Sequence, residues 1–360
     1  MRQTLFRIPL DGHWSLGPLG DVPGFGFGVA LLFWVLLGAL ATWKISRANG
    51  SWKQQIPNLS TWVIVAAIIL LMPTIAAKIP NLPPDKSIPV YGYGFMMFLG
   101  FLAGGWFATQ RAKVIGLEGE AIWDLAMWIF FAGIGGARAF YVIQKHDVVF
   151  RGREGIMDHL FAIVNLPDGG LVFYGGMILA SLAYIAFCYR RKINPLLLGD
   201  AIVPSIFIGM AFGRLGCLLN GCCYGDRCEL PWAITFPKGS VPYSVLVNRG
   251  FLDPAALASL PLHPTQIYSS INALILAVLT AIYFRYRPRN GAVVALALVL
   301  YPITRATIEL LRGDELGQFG TSLTIAQWVS LGIFVTGLAL WAWIVRGEGC
   351  VGADGPLTSS

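Results

Sequence analysis

The sequence predicts an all-α polytopic membrane protein, and its composition, segment lengths and charge placement all indicate this class. Of its 360 residues, 56% are hydrophobic and 12% are charged, whereas globular proteins carry about 25% charged residues. The mean hydropathy is +0.65. This composition excludes a soluble enzyme.

Nine charge-poor runs have roughly the 20 residues that an α-helix needs to cross a hydrocarbon core about 30 Å thick. Backbone in lipid must satisfy its own hydrogen bonds, and none of these runs alternates like a barrel strand, so each is predicted to be a helix. The predicted helices cover residues 24–43, 57–77, 87–110, 121–144, 169–189, 201–219, 264–284, 291–311 and 316–345.

Lys and Arg are concentrated in alternate connectors. Four connectors hold 11 basic residues in 30 positions, whereas the opposite set holds 11 in 110. The dense connectors are 44–53, 110–120, 190–193 and 285–289. By the positive-inside rule they face the cytoplasm, which places the N terminus and segment 226–263 outside and the tail 346–360 inside. The net charge of +7 is thus mainly an orientation signal, and no nucleic-acid partner is predicted.

Three arginines fall inside predicted spans, toward their outer ends: Arg138, Arg214 and Arg305. Ionisable groups in a span cost about 2.5–3.5 kcal/mol each at the bilayer centre and usually mark function. Arginine supplies the donor fork that suits a phosphate, so an anionic-headgroup site is predicted. Glu309 follows Arg305 by one helical turn and can hold its guanidinium in place. The alternative is that these side chains snorkel to the outer headgroups.

Other polar or glycine-rich segments reach the same predicted face. The candidate residues in them are Tyr93, Tyr174, Gly175, Gly176, Asn220, Gly225 and His263. Paired glycines around Tyr174 suggest close approach of backbone to a ligand; the alternative is a flexible helix entry with an aromatic residue of the interfacial belt. The Asn220 amide can both donate and accept. Several distant segments converging on one membrane face predict an active site there.

Four cysteines lie within twelve residues, at positions 217, 222, 223 and 228. Their spacing lacks the C-x2-C pairs of a zinc site, and no metal site is predicted. Three interpretations stay open: small apolar packing residues, a disulfide from Cys222 or Cys223 to Cys228, and thiol redox chemistry.

Taken together, these motifs resemble the prolipoprotein diacylglyceryl transferase family. The matching parts, in the family's order, are Tyr93-Gly94-Phe95-Met96, Gly136-Ala137-Arg138, Gly169-Gly170 through Gly175-Gly176, Gly213-Arg214 through Asn220-Gly221 to Gly225, His263-Pro264-Thr265-Gln266-Ile267-Tyr268, and Arg305 through Glu309 to Arg312. They span roughly residues 88–345.

The resemblance implies a seven-helix transferase-like core over residues 87–345, with 226–263 as a small periplasmic head. Residues 1–86 form an extension with two extra N-terminal transmembrane helices. The family moves the diacylglyceryl group of phosphatidylglycerol onto the lipobox cysteine of a preprolipoprotein in the bacterial inner membrane. It forms a thioether and releases glycerol phosphate, without a metal or other cofactor.

By position, the resemblance assigns substrate binding to Arg214 and an essential role to Arg305, and it places Glu309 on a further functional position. The remaining catalytic candidates are Tyr93, Tyr174 and His263, and the remaining substrate-binding candidates are Arg138, Gly175, Gly176, Asn220 and Gly225. The chain departs from the family where Tyr174 replaces a frequent histidine, Cys217 an asparagine and Cys222 a glutamate. Alternatives are a divergent paralogue with a changed acceptor and a non-catalytic lipid-binding or transport protein.

Overall fold

The computed structural model describes residues 4–9, 13–15, 21–23, 28–49, 62–63, 65–71, 87–151, 155–164, 170–312, 320–321 and 323–346. The chain divides into two compact units, residues 2–95 and residues 96–360.

The first unit contains short strands that the sequence did not predict. Strand β1 (Thr4–Pro9) pairs antiparallel with β4 (Ser87–Tyr91), and β2 (His13–Ser15) pairs antiparallel with β3 (Asp21–Pro23). The prediction of a helix from residue 87 is therefore wrong for its first five residues. Pro89 explains the difference, because proline disfavours the helical conformation in the residue before it and offers no N–H.

Helical residues of this unit lie where the two extra spans were predicted. Helix α1 covers Val29–Asn49, and residues 62–63 and 65–71 are also helical. The indole Nε1 of Trp34 donates to the carbonyl oxygen of Trp62 at 3.0 Å, so these two segments contact each other. Most of the predicted helix 57–77 lies outside the described residues.

Most of the described residues from 92 onward are helical, and the exceptions lie in segment 226–263 and in the connectors between helices. The helices of this part are α2 (Gly92–Val114, starting at the end of the first unit), α3 (Gly119–Gln144), α4 (His146–Val149), α5 (Ile156–Val164), α6 (Phe173–Arg191), α7 (Pro195–Asn220), α8 (Val241–Asn248), α9 (Thr265–Tyr286), α10 (Ala292–Glu309) and α11 (Ile325–Arg346).

Five of these helices, namely α3, α7, α9, α10 and α11, are long and apolar enough to cross a membrane. Helices α2 and α6, of 23 and 19 residues, occupy two more of the predicted positions. The predicted class, an all-α polytopic membrane protein, is confirmed.

Helix α3 packs against α6, while α7 packs against both α9 and α10. A buried carboxylate fixes the last of these contacts. Asp200 of α7 is fully buried and accepts hydrogen bonds from the N–H groups of Gly291, Val293 and Val294 at 2.8–3.0 Å. Arg287 lies 3.6 Å away. Because the first N–H groups of a helix have no partner within it, this carboxylate satisfies the start of α10 and interacts with its dipole.

Segment 226–263 is folded. Tyr224, Phe236 and Leu262 form a small buried core. Ile234 and Leu262 exchange backbone hydrogen bonds at 3.0–3.1 Å. These contacts return the chain to α9 close to the end of α7.

Candidate active site

The loop that follows α7 is held by the start of α9. The Thr265 hydroxyl donates to the carbonyl oxygen of Cys223 at 2.7 Å, and the Gln266 amide donates to that of Cys222 at 2.8 Å. Both donor residues are 1% exposed. Two motifs more than 40 residues apart are therefore joined, and the start of α9 fixes the loop after α7.

Gly225 brings this turn against the end of α10. Its N–H donates to the carbonyl oxygen of His263, and the next N–H, of Asp226, donates to that of Leu311, both at 2.9 Å. A Cβ at Gly225 would lie 2.5 Å from the Cβ of His263 and 2.7 Å from the oxygen of Leu311. Only glycine fits here, and it allows segments 221–226, 263–266 and 309–312 to meet.

A buried carboxylate lies beside that contact. Glu309, whose side chain is fully buried, forms an ion pair with Arg305 one turn earlier. Nη1 of Arg312 lies 3.5 Å from the same carboxylate, and the Thr324 hydroxyl donates to it at 3.2 Å. Two guanidiniums share one carboxylate, so these three ionic groups carry one net positive charge. Arg305, at 14% side-chain exposure, stays accessible.

Arg214 differs from the other arginines in predicted spans. Its side chain is partly buried near the end of α7. Within the described ranges it has neither a hydrogen-bond nor an ion-pair partner. A partly buried guanidinium without a protein acceptor can bind an anionic ligand.

Arg138 makes structural contacts instead. Its guanidinium donates to the carbonyl oxygens of Ala162, Ile163 and Gly170 at 2.8, 2.9 and 3.1 Å. It also lies over the Tyr141 ring, 5.3 Å from its centroid. These contacts tie α3 to α5 and to the start of α6, and they indicate a positioning role for an arginine that the sequence placed in substrate binding.

The paired glycines of α6 are also explained by packing. A Cβ at Gly175 would lie 2.5 Å from the carbonyl oxygen of Gly136, and one at Gly176 would lie 2.9 Å from that of Gly133. Helices α3 and α6 approach each other through these positions. The close helix contact accounts for glycine there without a ligand, although both residues are predicted to bind substrate.

The three candidates for proton transfer have different surroundings. Tyr174, in the first turn of α6, is 43% exposed, and Tyr93, in the first turn of α2, is 42% exposed. His263 is half-buried, with Nδ1 3.4 Å from the hydroxyl of Tyr268. That hydroxyl accepts a hydrogen bond from Trp232 of the head at 2.7 Å. The imidazole is thus positioned by an aromatic pair.

Cys217, Cys222 and Cys223 come together at the end of α7, with all three sulfur atoms within 4.8 Å of one another. The five cysteines that the structure describes are free, so the predicted alternative of a disulfide to Cys228 is not formed. Hydrogen bonds from the thiols of Cys217 and Cys223 lower the pKa of the Cys222 thiol, and the Asn220 side chain adds to the effect.

Sequence reasoning missed three contributors to this region. Arg312 and Gln266 were noted only as parts of motifs, and Thr324 was not noticed. The i, i+3 spacing of Glu309 and Arg312 was a usable signal for an ion pair. Thr324 carried no such signal, because it reaches Glu309 from a separate segment of the chain.

The family of prolipoprotein diacylglyceryl transferases matches residues 84–343. A Rhodopirellula baltica protein named phosphatidylglycerol–prolipoprotein diacylglyceryl transferase is 31% identical, covering 94% of this chain and 88% of its own. Relatives with the same name from Clostridium tetani and Burkholderia multivorans are 32% and 30% identical, covering 70% and 74% of this chain and 92% and 96% of their own. The first alignment therefore includes most of the extension before residue 84.

Proposed function

The chain belongs to the prolipoprotein diacylglyceryl transferase family, and we propose that it transfers the sn-1,2-diacylglyceryl group of phosphatidylglycerol to a preprolipoprotein. The acceptor is the thiol of the lipobox cysteine in the signal peptide. A thioether forms, the bond from the glyceryl carbon to the phosphate oxygen breaks, and glycerol phosphate leaves. The enzyme is a multi-pass protein of the bacterial cytoplasmic membrane, with its N terminus outside and its C terminus in the cytoplasm.

One observation carries the assignment of the lipid site. Of the three arginines in predicted spans, Arg138 and Arg305 bind protein acceptors, whereas Arg214 has none among the described residues. A partly buried guanidinium in a predicted span is suited to bind an anion, and the phosphodiester of phosphatidylglycerol matches its donor fork. Arg214 is therefore the proposed ligand of the headgroup phosphate.

Arg305 and Glu309 are proposed to act when the headgroup leaves. Glu309 fixes the Arg305 guanidinium through their ion pair, which leaves other N–H donors of Arg305 available. Donors that are already oriented stabilise charge as it develops on a leaving group. Arg305 would thus stabilise the departing glycerol phosphate, and Glu309 is a positioning residue for it.

The acceptor must lose its proton before it attacks. A cysteine thiol has a pKa near 8.5, and neighbouring cations lower that pKa. The excess positive charge around Glu309 therefore favours the thiolate. Tyr174, His263 and Tyr93 are the candidate proton acceptors, and Asn220 and Gly225 are the candidates for substrate binding beside Arg214.

The test is a defined reaction of the purified full-length protein in detergent. Phosphatidylglycerol labelled in its acyl chains and a synthetic lipobox peptide should yield a diacylglyceryl peptide and one glycerol phosphate per thioether. The matched control is the same peptide with its lipobox cysteine replaced by serine, which should give no product. Lipid binding or movement without a modified peptide would support the transport alternative. Rescue of a bacterium depleted of its own transferase would establish the natural acceptor.

A further inference from the structure

Three cysteines at the end of α7 form a group that the proposed transfer mechanism does not use. Their sulfur atoms lie within 4.8 Å of one another. Three thiolates around one metal ion at a metal–sulfur distance of about 2.3 Å are about 4 Å apart. The side chains therefore need only small rotations to bind a single ion.

The backbone around these cysteines is held from two sides. The N–H groups of Gly221 and Cys222 both donate to the carbonyl oxygen of Cys217, at 2.9 and 3.1 Å. The carbonyl groups of Cys222 and Cys223 are bound by side chains at the start of α9. The sulfur positions are thus set by the fold, as a preorganised ligand set requires.

Cys223 also has an unusual backbone conformation, with φ at +57°. The left-handed region costs a residue other than glycine about 1–2 kcal/mol, and such residues concentrate at ligand clamps and active sites. This conformation directs the side chains of two adjacent cysteines to one place.

The charges favour a divalent ion. Three thiolates and a divalent cation carry one net negative charge, and Arg214, three residues before Cys217, lies on the same side of the helix. Soft thiolate ligands select ions such as Zn²⁺ over the hard cations Mg²⁺ and Ca²⁺. Sequence spacing concealed this group, because the left-handed turn at Gly221, with φ at +80°, brings the second and third cysteines back to the first.

We propose that Cys217, Cys222 and Cys223 together bind one divalent d10 metal ion of the zinc class. Each thiol releases its proton to the solvent on binding, and the fourth position is left to a solvent molecule. The site joins the last turn of α7 to the loop that contains Gly225. It does not depend on the proposed function, because the ion binds in the absence of lipid and peptide.

Cd²⁺ is the probe, since its bonds to sulfur absorb in the ultraviolet. The full-length protein carrying Cys350→Ser is reduced, desalted in detergent and titrated with Cd²⁺ in excess Mg²⁺. We expect one Cd²⁺ per chain by elemental analysis, a charge-transfer absorption that saturates at that ratio, and a Tm that rises with metal concentration. Added Zn²⁺ should displace Cd²⁺ and thereby abolish the absorption.

Cys222→Ser and Cys223→Ser, at half-buried positions, should each weaken Cd²⁺ binding by about 100-fold or more, since even second-layer changes cost 10–100-fold. Cys188→Ser and Cys228→Ser are the matched controls and should retain full binding. The proposal is overturned if the parent protein binds no Cd²⁺, if it contains two fewer titratable thiols because of a disulfide, or if the control variants lose binding as the cluster variants do. A failure to bind Cd²⁺ would not affect the result of the transferase assay, and a failure of the transferase assay would not affect Cd²⁺ binding.

Discussion

Replacing Arg214 by alanine separates binding of the headgroup from stability of the fold. The guanidinium has no protein acceptor within the described ranges, so its removal breaks no hydrogen bond or ion pair there. If the Arg214 guanidinium donates two hydrogen bonds to the phosphate, the alanine variant loses both, and each is worth about 1.5–3 kcal/mol because both groups are charged. The expected loss in kcat/KM is then about 10²–10⁴-fold.

The assay is the initial rate of thioether formation over a range of phosphatidylglycerol concentrations, with thermal unfolding measured on the same preparation. For Arg214→Ala we expect the rate to fall while the free energy of unfolding changes by less than about 1 kcal/mol. Arg214→Lys keeps the charge without the fork and should lie between the parent and Arg214→Ala.

Arg138→Ala is the matched control from another predicted span. Because it removes three hydrogen bonds to carbonyl oxygens, it should cost about 3 kcal/mol of stability at about 1 kcal/mol per bond. The reasoning fails if Arg214→Ala retains the full rate. It also fails if that variant is destabilised as strongly as Arg138→Ala, since Arg214 would then have a structural role.

Three further variants test two contacts at the site and one at the start of α10. Glu309→Gln leaves two guanidiniums without their shared carboxylate and should cost about 3–5 kcal/mol in chemical unfolding, together with most of the transferase rate; a stable, active variant would show that the ion pair is dispensable. Asp200→Asn replaces one carboxylate oxygen by an amide NH2 group, which then faces either the backbone N–H donors or Arg287. Because two donors cannot pair, the variant should lose about 3 kcal/mol of stability. The control is Asp124→Asn, which breaks an exposed ion pair and should cost less than about 1 kcal/mol of stability. Equal losses of stability in the two variants would refute the capping role of Asp200. Gly225→Ala should lower both Tm and rate, because its Cβ would clash at 2.5 Å, while Gly332→Ala, with open space around it, should leave both unchanged.

The ion pair at the candidate site was predictable because membrane insertion makes ionisable residues conspicuous. Arg305 and Glu309 stand one turn apart in an apolar segment, and the structure pairs them. Thr324 was not predictable, since a single threonine carries no periodic or electrostatic signal. The roles of Arg138 and Gly175 also needed the structure, because a buried arginine bonded to carbonyls and one facing a ligand look alike in sequence.

The cysteine cluster also could not be predicted from the sequence. Their spacing resembles no metal motif, yet the sulfurs of Cys217, Cys222 and Cys223 meet in the fold. The spacing of a motif gives only the separation along the chain. The distance between the sulfur atoms depends on the left-handed turn at Gly221 and on the two side-chain donors from α9.

The sequence by itself determined the membrane class and the position of most helices, because hydrocarbon tolerates only long apolar segments with internal hydrogen bonds. Its ordered motifs also determined the family. Only the tertiary structure decided which charged side chains are already satisfied and which are free to bind a ligand. That choice depends on acceptors such as the carbonyl oxygens at 162, 163 and 170, which every residue possesses and which only the packing of α3 against α5 and α6 brings to Arg138.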